Sequence, residues 1–124
     1  LAAWMRPKKV DTPITMLGAS SKIVYEPKGM SLIIAPWNYP FLLTFAPLVA
    51  AVAAGNTVIL KPSEFTSATV GVMRDIVEVV FEQKNVALVE GGVSVSQTLL
   101  ALRFDHIFFT GAPAIGIFVL VAAA

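Results

Sequence analysis

No cysteine occurs among the 124 residues of the sequence. This absence excludes disulfides, thiolate metal sites and a cysteine nucleophile from the chain, although it does not indicate a cellular compartment. Charged residues are scarce, at 14%, and histidine occurs once. The formal net charge is only +1, so the charge balance predicts no nucleic-acid partner. We assign no metal-binding residue.

Apolar residues, by contrast, make up 56% of the sequence, whereas about 45–50% is average for soluble domains. The length suits one small domain or part of a larger one. The composition therefore predicts either a membrane protein or the buried centre of something larger. The first ten residues do not form a secretory signal. They do not begin with methionine either, from which we expect that the natural start is missing.

Residues 107–124 offer the best candidate for a membrane span, because all 18 are uncharged and a span needs about 20. Glycine and proline within the stretch do not exclude such a helix. However, Thr110-Gly111-Ala112-Pro113 is a turn signal near its start. The alternative is therefore a buried strand, a turn and a buried helix, and both interpretations stay open at this point.

Short apolar runs alternate with helical patterns along most of the chain. Strands are predicted over residues 31–35, 56–61, 85–90 and 106–110. Helices are predicted over residues 43–55, 66–82, 94–103 and from about 114 onward. In the second helix, Met73, Ile76, Val77 and Val80 share one predicted apolar face.

This alternation predicts an α/β fold, namely a partial Rossmann-like parallel sheet with flanking helices. Residues 1–30 fit the scheme poorly, and we interpret them as an arm or hairpin segment that links to another layer or subunit. Within it, a strand over 22–26 is expected to join the strand over 31–35 through a turn at Pro27-Lys28-Gly29. Residues 31–124 form the second predicted unit.

Polar and glycine-rich residues follow each predicted strand, where parallel sheets bind ligands. Asn38 follows the first strand, between aromatic rings, and is either a rigidly held amide or a brace of the turn. Lys61 and Glu64 follow the second, as solvated loop residues or as donor and acceptor for ribose hydroxyls. The segment from Gly111 to Gly116 is a plain helix start or a phosphate-binding one.

Two further titratable residues look less promising for catalysis. His106 lies between an aspartate and an apolar strand, a position that is more typical of a structural residue than of a base. Glu90 resembles a carboxylate poised in an apolar setting, but one carboxylate without a partner is a poor candidate for acid–base chemistry.

Three segments follow one another along the chain in this order and at characteristic spacing: "PWNYPF", "AAGNTVILKPSE" and "FDHIFFTGAPAIG". Together they resemble the aldehyde dehydrogenase superfamily, and within it the class 3, fatty-aldehyde-dehydrogenase-like branch. The resemblance extends from about Trp4 to about Gly116, most of the chain. It implies that residues 31–124 are part of a dinucleotide-binding domain.

The resemblance assigns a role to the asparagine of the first segment. In the family this asparagine donates its amide to the aldehyde oxygen as a thiol adds, so Asn38 is expected to be one arm of an oxyanion hole. A fixed neutral donor suits developing negative charge. Pro36 and Trp37 are expected to hold it and to line the cofactor cleft.

The resemblance also implies a cofactor site. Lys61 and Glu64 correspond to the ribose-binding pair, and the Glu64 carboxylate favours NAD, with NADP left open. Thr110, Gly111 and Gly116 correspond to the loop and helix start beneath the pyrophosphate. The family usually has serine where this chain has Ala112 and a basic residue where it has Ile117.

We therefore expect an amino-terminal-half piece of an NAD(P)-dependent aldehyde dehydrogenase, cytoplasmic, whose parent oxidises an aldehyde to a carboxylic acid. The family's catalytic cysteine and general-base glutamate fall beyond residue 124, so the chain alone is expected to be inactive. Its expected partners are the aldehyde and either a second copy or the remainder of the chain. The alternatives are a non-catalytic dinucleotide-binding or interaction module, and a small membrane-associated protein.

Overall fold

The computed structural model describes residue 3 and residues 5–123. Trp4, where the resemblance begins, and Ala124, the last residue of the uncharged stretch, lie outside the described part. The amino-terminal segment forms a two-stranded antiparallel sheet from β1 (Lys8–Val10) and β2 (Ser21–Ile23). Whether residues 1–30 constitute a separate unit stays a prediction.

A four-stranded parallel sheet forms the centre of the fold. Its strands are β3 (Met30–Ile34), β4 (Thr57–Lys61), β5 (Val86–Leu88) and β6 (His106–Phe109). They lie in the order β5-β4-β3-β6, and each neighbouring pair is parallel. The predicted partial Rossmann-like sheet with flanking helices is thus confirmed.

The hairpin predicted through Pro27-Lys28-Gly29 is wrong. β2 pairs with β1, in the register Lys9 opposite Lys22, and not with β3. The reason is that β4 and β6 occupy both edges of β3. A strand in the middle of a parallel sheet has no free edge left for a hairpin partner, whatever turn residues precede it.

Four helices cover the two faces of the parallel sheet. They are α1 (Pro40–Ala53), α2 (Ser67–Val80), α3 (Val93–Leu100) and α4 (Pro113–Ala122). On one face, Ile33 of β3 packs in a cluster with Leu48 of α1 and Val77 of α2. On the other, Leu32 shares a cluster with Leu99 of α3 and Val119 of α4. Successive residues of β3 therefore point to opposite helix layers, as strand geometry requires.

The apolar face of α2 is shorter than predicted. Val70, Met73 and Val77 are buried, but Val80 is 61% exposed. α2 ends at Val80, and the next residue, Phe81, adopts extended backbone and packs against the core in its place. The apolar face therefore ends with the helix. The position of that end cannot be read from the pattern of apolar and polar residues.

The uncharged stretch at the end of the sequence is divided between β6, a loop and α4. Among the described residues, we find no helix with the length and apolar character that a membrane crossing needs. α4 is ten residues long. It nevertheless has several exposed apolar side chains, namely Ile117, Phe118, Leu120 and Val121.

Asn56 joins three elements at the amino edge of the parallel sheet. Its Oδ1 accepts a hydrogen bond from the Gly29 N–H at 3.0 Å, and its Nδ2 donates to the Ala51 carbonyl at 3.1 Å. The Thr57 N–H also donates to the Gly29 carbonyl at 3.1 Å. One amide side chain therefore ties the end of α1 and the start of β4 to the residue before β3.

We expect the Asn56→Ala substitution to lower the free energy of unfolding by about 1–3 kcal/mol, because the Gly29 N–H loses its acceptor, whereas the Ala51 carbonyl still accepts from the backbone N–H of residue 56. Asn85→Ala is the matched control, since Asn85 also precedes a strand but is exposed. Its expected effect is below about 0.5 kcal/mol. Urea denaturation of both variants measures the difference, and equal effects would contradict the bridging role.

Candidate active site

The carboxyl ends of three neighbouring strands stand side by side. In the register of the sheet, Ile34 at the end of β3 is paired with Lys61 on one side and with Phe109 on the other. Beyond these residues the Ala35 N–H donates to the Lys61 carbonyl, and the Thr110 N–H donates to the Ile34 carbonyl, both at 3.1 Å. The loops that begin at Ala35, Pro62 and Thr110 therefore start at one edge.

The order of the strands also reverses at this place. Along the chain, β3, β4 and β5 are added in one direction, and β6 then lies on the opposite side of β3. The loops after β3 and β6 consequently diverge to opposite faces, towards α1 and α4. Open α/β sheets bind ligands in the crevice at such a point.

The loop after β3 presents Asn38 at its tip. Pro36 is half-buried, Trp37 is 65% exposed, and Asn38 is exposed. α1 then begins at Pro40, with Tyr39 as the capping residue and no side-chain cap hydrogen bond. Asn38 is therefore not the residue that caps α1, and its side chain is exposed at the carboxyl edge.

Lys61 is a buried ammonium group at the end of β4. Only 3% of its surface is exposed, and its Nζ donates to the Pro62 carbonyl at 3.0 Å and to Glu64 Oε2 at 3.4 Å. An ammonium has three donors. Two are used within the described part of the chain, so a third remains for a ligand at this edge.

Glu64 begins a short 3-10 helix, Glu64–Thr66, that Ser63 caps through its side chain. The Glu64 side chain is 35% exposed. Its pKa is lowered, first by a hydrogen bond from its own backbone N–H and then by the Lys61 ammonium, while partial burial acts in the opposite direction. Glu64 is therefore an ionised acceptor at neutral pH.

Glu90 is not a carboxylate in an apolar setting, which corrects the expectation from the sequence. It forms an ion pair with Arg74 of α2, and both side chains are partly exposed. Arg74 escaped the sequence analysis. It lies four residues after Val70, and Val70 and Glu90 line one groove. The helical period is therefore the signal that could have placed Arg74 near Glu90.

The loop after β6 closely surrounds the ring of Phe109. A Cβ atom at Gly111 would lie 2.5 Å from Phe109 Cζ, and one at Gly116 would lie 3.5 Å from Phe109 Cε1. A side chain at Gly111 would therefore displace the ring. Ala112 caps α4 without a side-chain hydrogen bond, so the helix start presents backbone alone.

His106 lies away from this edge. It is the first residue of β6, pairs with Ser31 at the beginning of β3, and is exposed. The structure thus brings the loops of Asn38, Lys61 and Thr110 to the carboxyl edge and leaves His106 at the amino edge. It cannot act on a ligand bound at the carboxyl edge.

Comparison with known proteins supports the fold. Residues 2–124 match the sequence profile of the aldehyde dehydrogenase family. Aldehyde dehydrogenase family 3 member H1 of Arabidopsis thaliana is 43% identical over 124 residues, which is 100% of this chain and 26% of that protein. The chain thus spans about a quarter of the length of the curated relatives it matches.

Two solved structures show the same fold. The substrate-bound state of Staphylococcus aureus AldH superposes with a TM-score of 0.94 at 45% identity, over 98% of this chain and 26% of that one. Betaine aldehyde dehydrogenase from Staphylococcus aureus, in complex with NAD+, superposes with a TM-score of 0.78 at 32% identity, over 94% of this chain and 24% of that one.

The lowered pKa of Glu64 predicts a pH-dependent contribution to stability. A carboxylate whose pKa falls on folding stabilises the folded state above its ordinary pKa of about 4.3, and this contribution is lost as the pH drops through the folded value. We expect Glu64→Gln to lower the free energy of unfolding by at most about 1 kcal/mol at pH 7, because the side chain is 35% exposed. The difference should become smaller as the pH is lowered towards 3.

Denaturation at the two pH values measures this difference. Glu82→Gln is the control, because Glu82 pairs with Lys84 at 2.7 Å but both side chains are more than 70% exposed. It should have little effect at either pH. If Glu64→Gln lowers the free energy of unfolding as much at pH 3 as at pH 7, the ionised carboxylate is not the source of the effect.

Proposed function

This chain belongs to the aldehyde dehydrogenase family, and from that premise we propose that it binds NAD and donates one hydrogen bond in the oxidation of an aldehyde to a carboxylic acid. The observation that carries the proposal is the register that sets Ile34 between Lys61 and Phe109. Because of this register, the loops that carry Asn38, Glu64 and Gly111 all begin at the same edge of the sheet.

The ribose-binding pair fits a nucleotide on the chemistry of its donors and acceptors. The Lys61 ammonium keeps one donor free, and the Glu64 carboxylate accepts hydrogen bonds while ionised. Adjacent ribose hydroxyls both donate and accept, so the pair matches them. The NAD+ complex of betaine aldehyde dehydrogenase supports the choice of ligand. The negative charge of Glu64 favours NAD over NADP, whose 2′-phosphate it repels.

The pyrophosphate would lie against the start of α4. The Phe109 ring packs beside Gly111 and Gly116. Thr110 and Gly116 donate their N–H groups to the Ile34 and Ala112 carbonyls, so the proposal relies on the Gly111 N–H and the remaining N–H groups at the start of α4. Peptide N–H groups at a helix start attract phosphate oxygens. Ala112 contributes no hydroxyl, so backbone donors alone bind there. Pro36 and Trp37 would form the wall of the cleft on the β3 side.

Asn38 would act on the oxygen of the aldehyde. As a thiol adds to the carbonyl carbon, negative charge develops on that oxygen, and the Asn38 amide N–H donates a hydrogen bond to it. The bound nicotinamide ring supplies the acceptor for the hydride. The thiol is not among these 124 residues, because they contain no cysteine, and the role of Asn38 is therefore to bind and orient.

The ribose-binding pair would serve equally well in a second candidate, a dinucleotide-binding module without catalysis of its own. The two candidates share the ribose-binding pair and differ at Asn38, whose amide has no role in nucleotide binding alone. A chimera separates them, in which this chain replaces the matching quarter of Staphylococcus aureus AldH. Aldehyde oxidation by the chimera that depends on Asn38 favours the first candidate.

The Glu64→Gln substitution tests the ribose-binding pair. We expect it to weaken NAD binding by the chain about tenfold, since a charged acceptor is lost, and to change NADP binding less, because repulsion of the 2′-phosphate is lost with it. Titration calorimetry with both nucleotides measures the two affinities. Unchanged NAD affinity with an unchanged preference would contradict the assignment, and Glu82→Gln serves as the charge-matched control.

The Asn38→Ala substitution tests the oxyanion donor in the chimera. We expect kcat for aldehyde oxidation to fall by about 10²-fold or more, because the donor acts mainly in the transition state. NAD affinity should stay nearly constant, since the amide serves the aldehyde oxygen. Single-turnover rates and the melting temperature are measured on the same protein.

Asn38→Asp should be slower still, because it places an acceptor, and a negative charge, beside the forming oxyanion. If Asn38 only braced the loop, both variants would lower the melting temperature and leave the rate per folded molecule intact. That result would end the oxyanion assignment.

A further inference from the structure

A second carboxylate lines the groove beside the ribose-binding pair. The groove has a volume of about 280 Å³ and lies between the ends of β4 and β5, with Glu64 on one side and Glu90 on the other. Glu64 also approaches the start of α3, because a Cβ atom at Gly92 would lie 3.6 Å from Glu64 Oε1. The two carboxylates therefore face the same small space.

Arg74 partly neutralises the negative charge of Glu90. It pairs with Glu90 but contributes to the neighbouring groove on the α2 side, not to the one that Glu64 lines. Glu90 thus stands between a guanidinium and the ribose-side groove. The charges around the groove are Lys61 and Glu64 as one pair and Arg74 and Glu90 as the other.

This arrangement distinguishes a ribose with free hydroxyls from one that carries a 2′-phosphate. A phosphate monoester has a charge of about −1.5 to −2 at pH 7, whereas the hydroxyls are neutral. A carboxylate at the groove wall repels the phosphate and leaves the hydroxyls unaffected, and a neighbouring cation reduces that repulsion. Charges a few ångströms apart near a protein surface interact strongly enough to change affinity several-fold.

We propose that Glu90 is a second determinant of coenzyme selectivity in this chain, beside Glu64, and that Arg74 sets how strongly it excludes NADP. The inference rests on the proposed function, since it concerns the ribose end of the same nucleotide site. It assigns Glu90 no part in the chemical step.

The two partners should shift selectivity in opposite directions. In Glu90→Gln the guanidinium is released from its partner and a negative charge is removed, so the ratio of NADP to NAD affinity should rise about three- to tenfold. In Arg74→Gln the carboxylate is left unbalanced, so the ratio should fall by a similar factor. In the double variant the net charge returns to the original value, and the ratio should lie within about twofold of the wild type.

The measurement is titration calorimetry of the chain with NAD+ and with NADP+ at low and high salt. The shifts should shrink in high salt, because screening weakens them. Glu82→Gln is the control for a change in net charge alone, because the Glu82–Lys84 pair precedes β5 and so lies at the amino edge. It should leave the ratio unchanged.

Three results would overturn the inference. If both single variants lower both affinities together with the melting temperature, the ion pair is only a brace between α2 and the loop after β5. If NAD+ binds normally and Glu90→Gln leaves the ratio unaltered, Glu90 has no part in selectivity while the proposed function stands. If the wild-type chain binds neither nucleotide, the proposed function falls, and this inference falls with it.

Discussion

β3 lies between β4 and β6, and its hydrogen bonds to both neighbours decide which residues meet at the carboxyl edge. Because side chains alternate along a strand, a slip of one residue would turn Leu32 and Ile33 to the wrong helix layers. Both are almost completely buried, at 0% and 1% exposure, so the apolar core on each face enforces the register. The same register sets Lys61 beside Ile34 and Ile34 beside Phe109. The position of the loops at the carboxyl edge thus follows from the packing of apolar residues within the sheet and its helix layers.

In the segment after β4, one set of contacts stabilises the fold and would also serve the proposed nucleotide binding. Burying an ammonium group is unfavourable unless it is paired and hydrogen-bonded. Lys61 meets this demand through the Pro62 carbonyl and the Glu64 carboxylate, and Ser63 holds the turn between them. The contacts that make the burial of Lys61 tolerable therefore also hold Glu64 in place before a ligand arrives. Such preorganisation lowers the entropy lost on binding.

The sequence alone predicted the parallel sheet, the helix positions and the edge where the polar residues gather, because these depend on the period of apolar residues and on where each run ends. It failed where a choice depends on distant parts of the chain. The turn residues from Pro27 to Gly29 suggested a hairpin, but only the assembled sheet shows that β3 has no free edge. The pairing of Arg74 with Glu90 joins α2 to the loop after β5, and the sequence pattern does not show that these two residues pair. The roles that the resemblance gave to Asn38, Lys61 and Glu64 stay predictions, because no ligand contact tests them.

The loop from β3 to α1 contains a backbone conformation that local rules disfavour. Tyr39 adopts the left-handed region, with φ of 48° and ψ of 48°, although a residue before proline is normally extended. Such a residue costs on the order of 1–3 kcal/mol and persists only where its surroundings hold it. Here Pro36 and Pro40 fix φ on both sides of the turn, and the left-handed residue reverses the chain at once into α1. Asn38 is thereby carried at the tip of a short, stiff loop whose start, Ala35, is buried. The proline on each side and the reversal at Tyr39 thus fix where the backbone of Asn38 lies, whereas its exposed side chain is not held by packing.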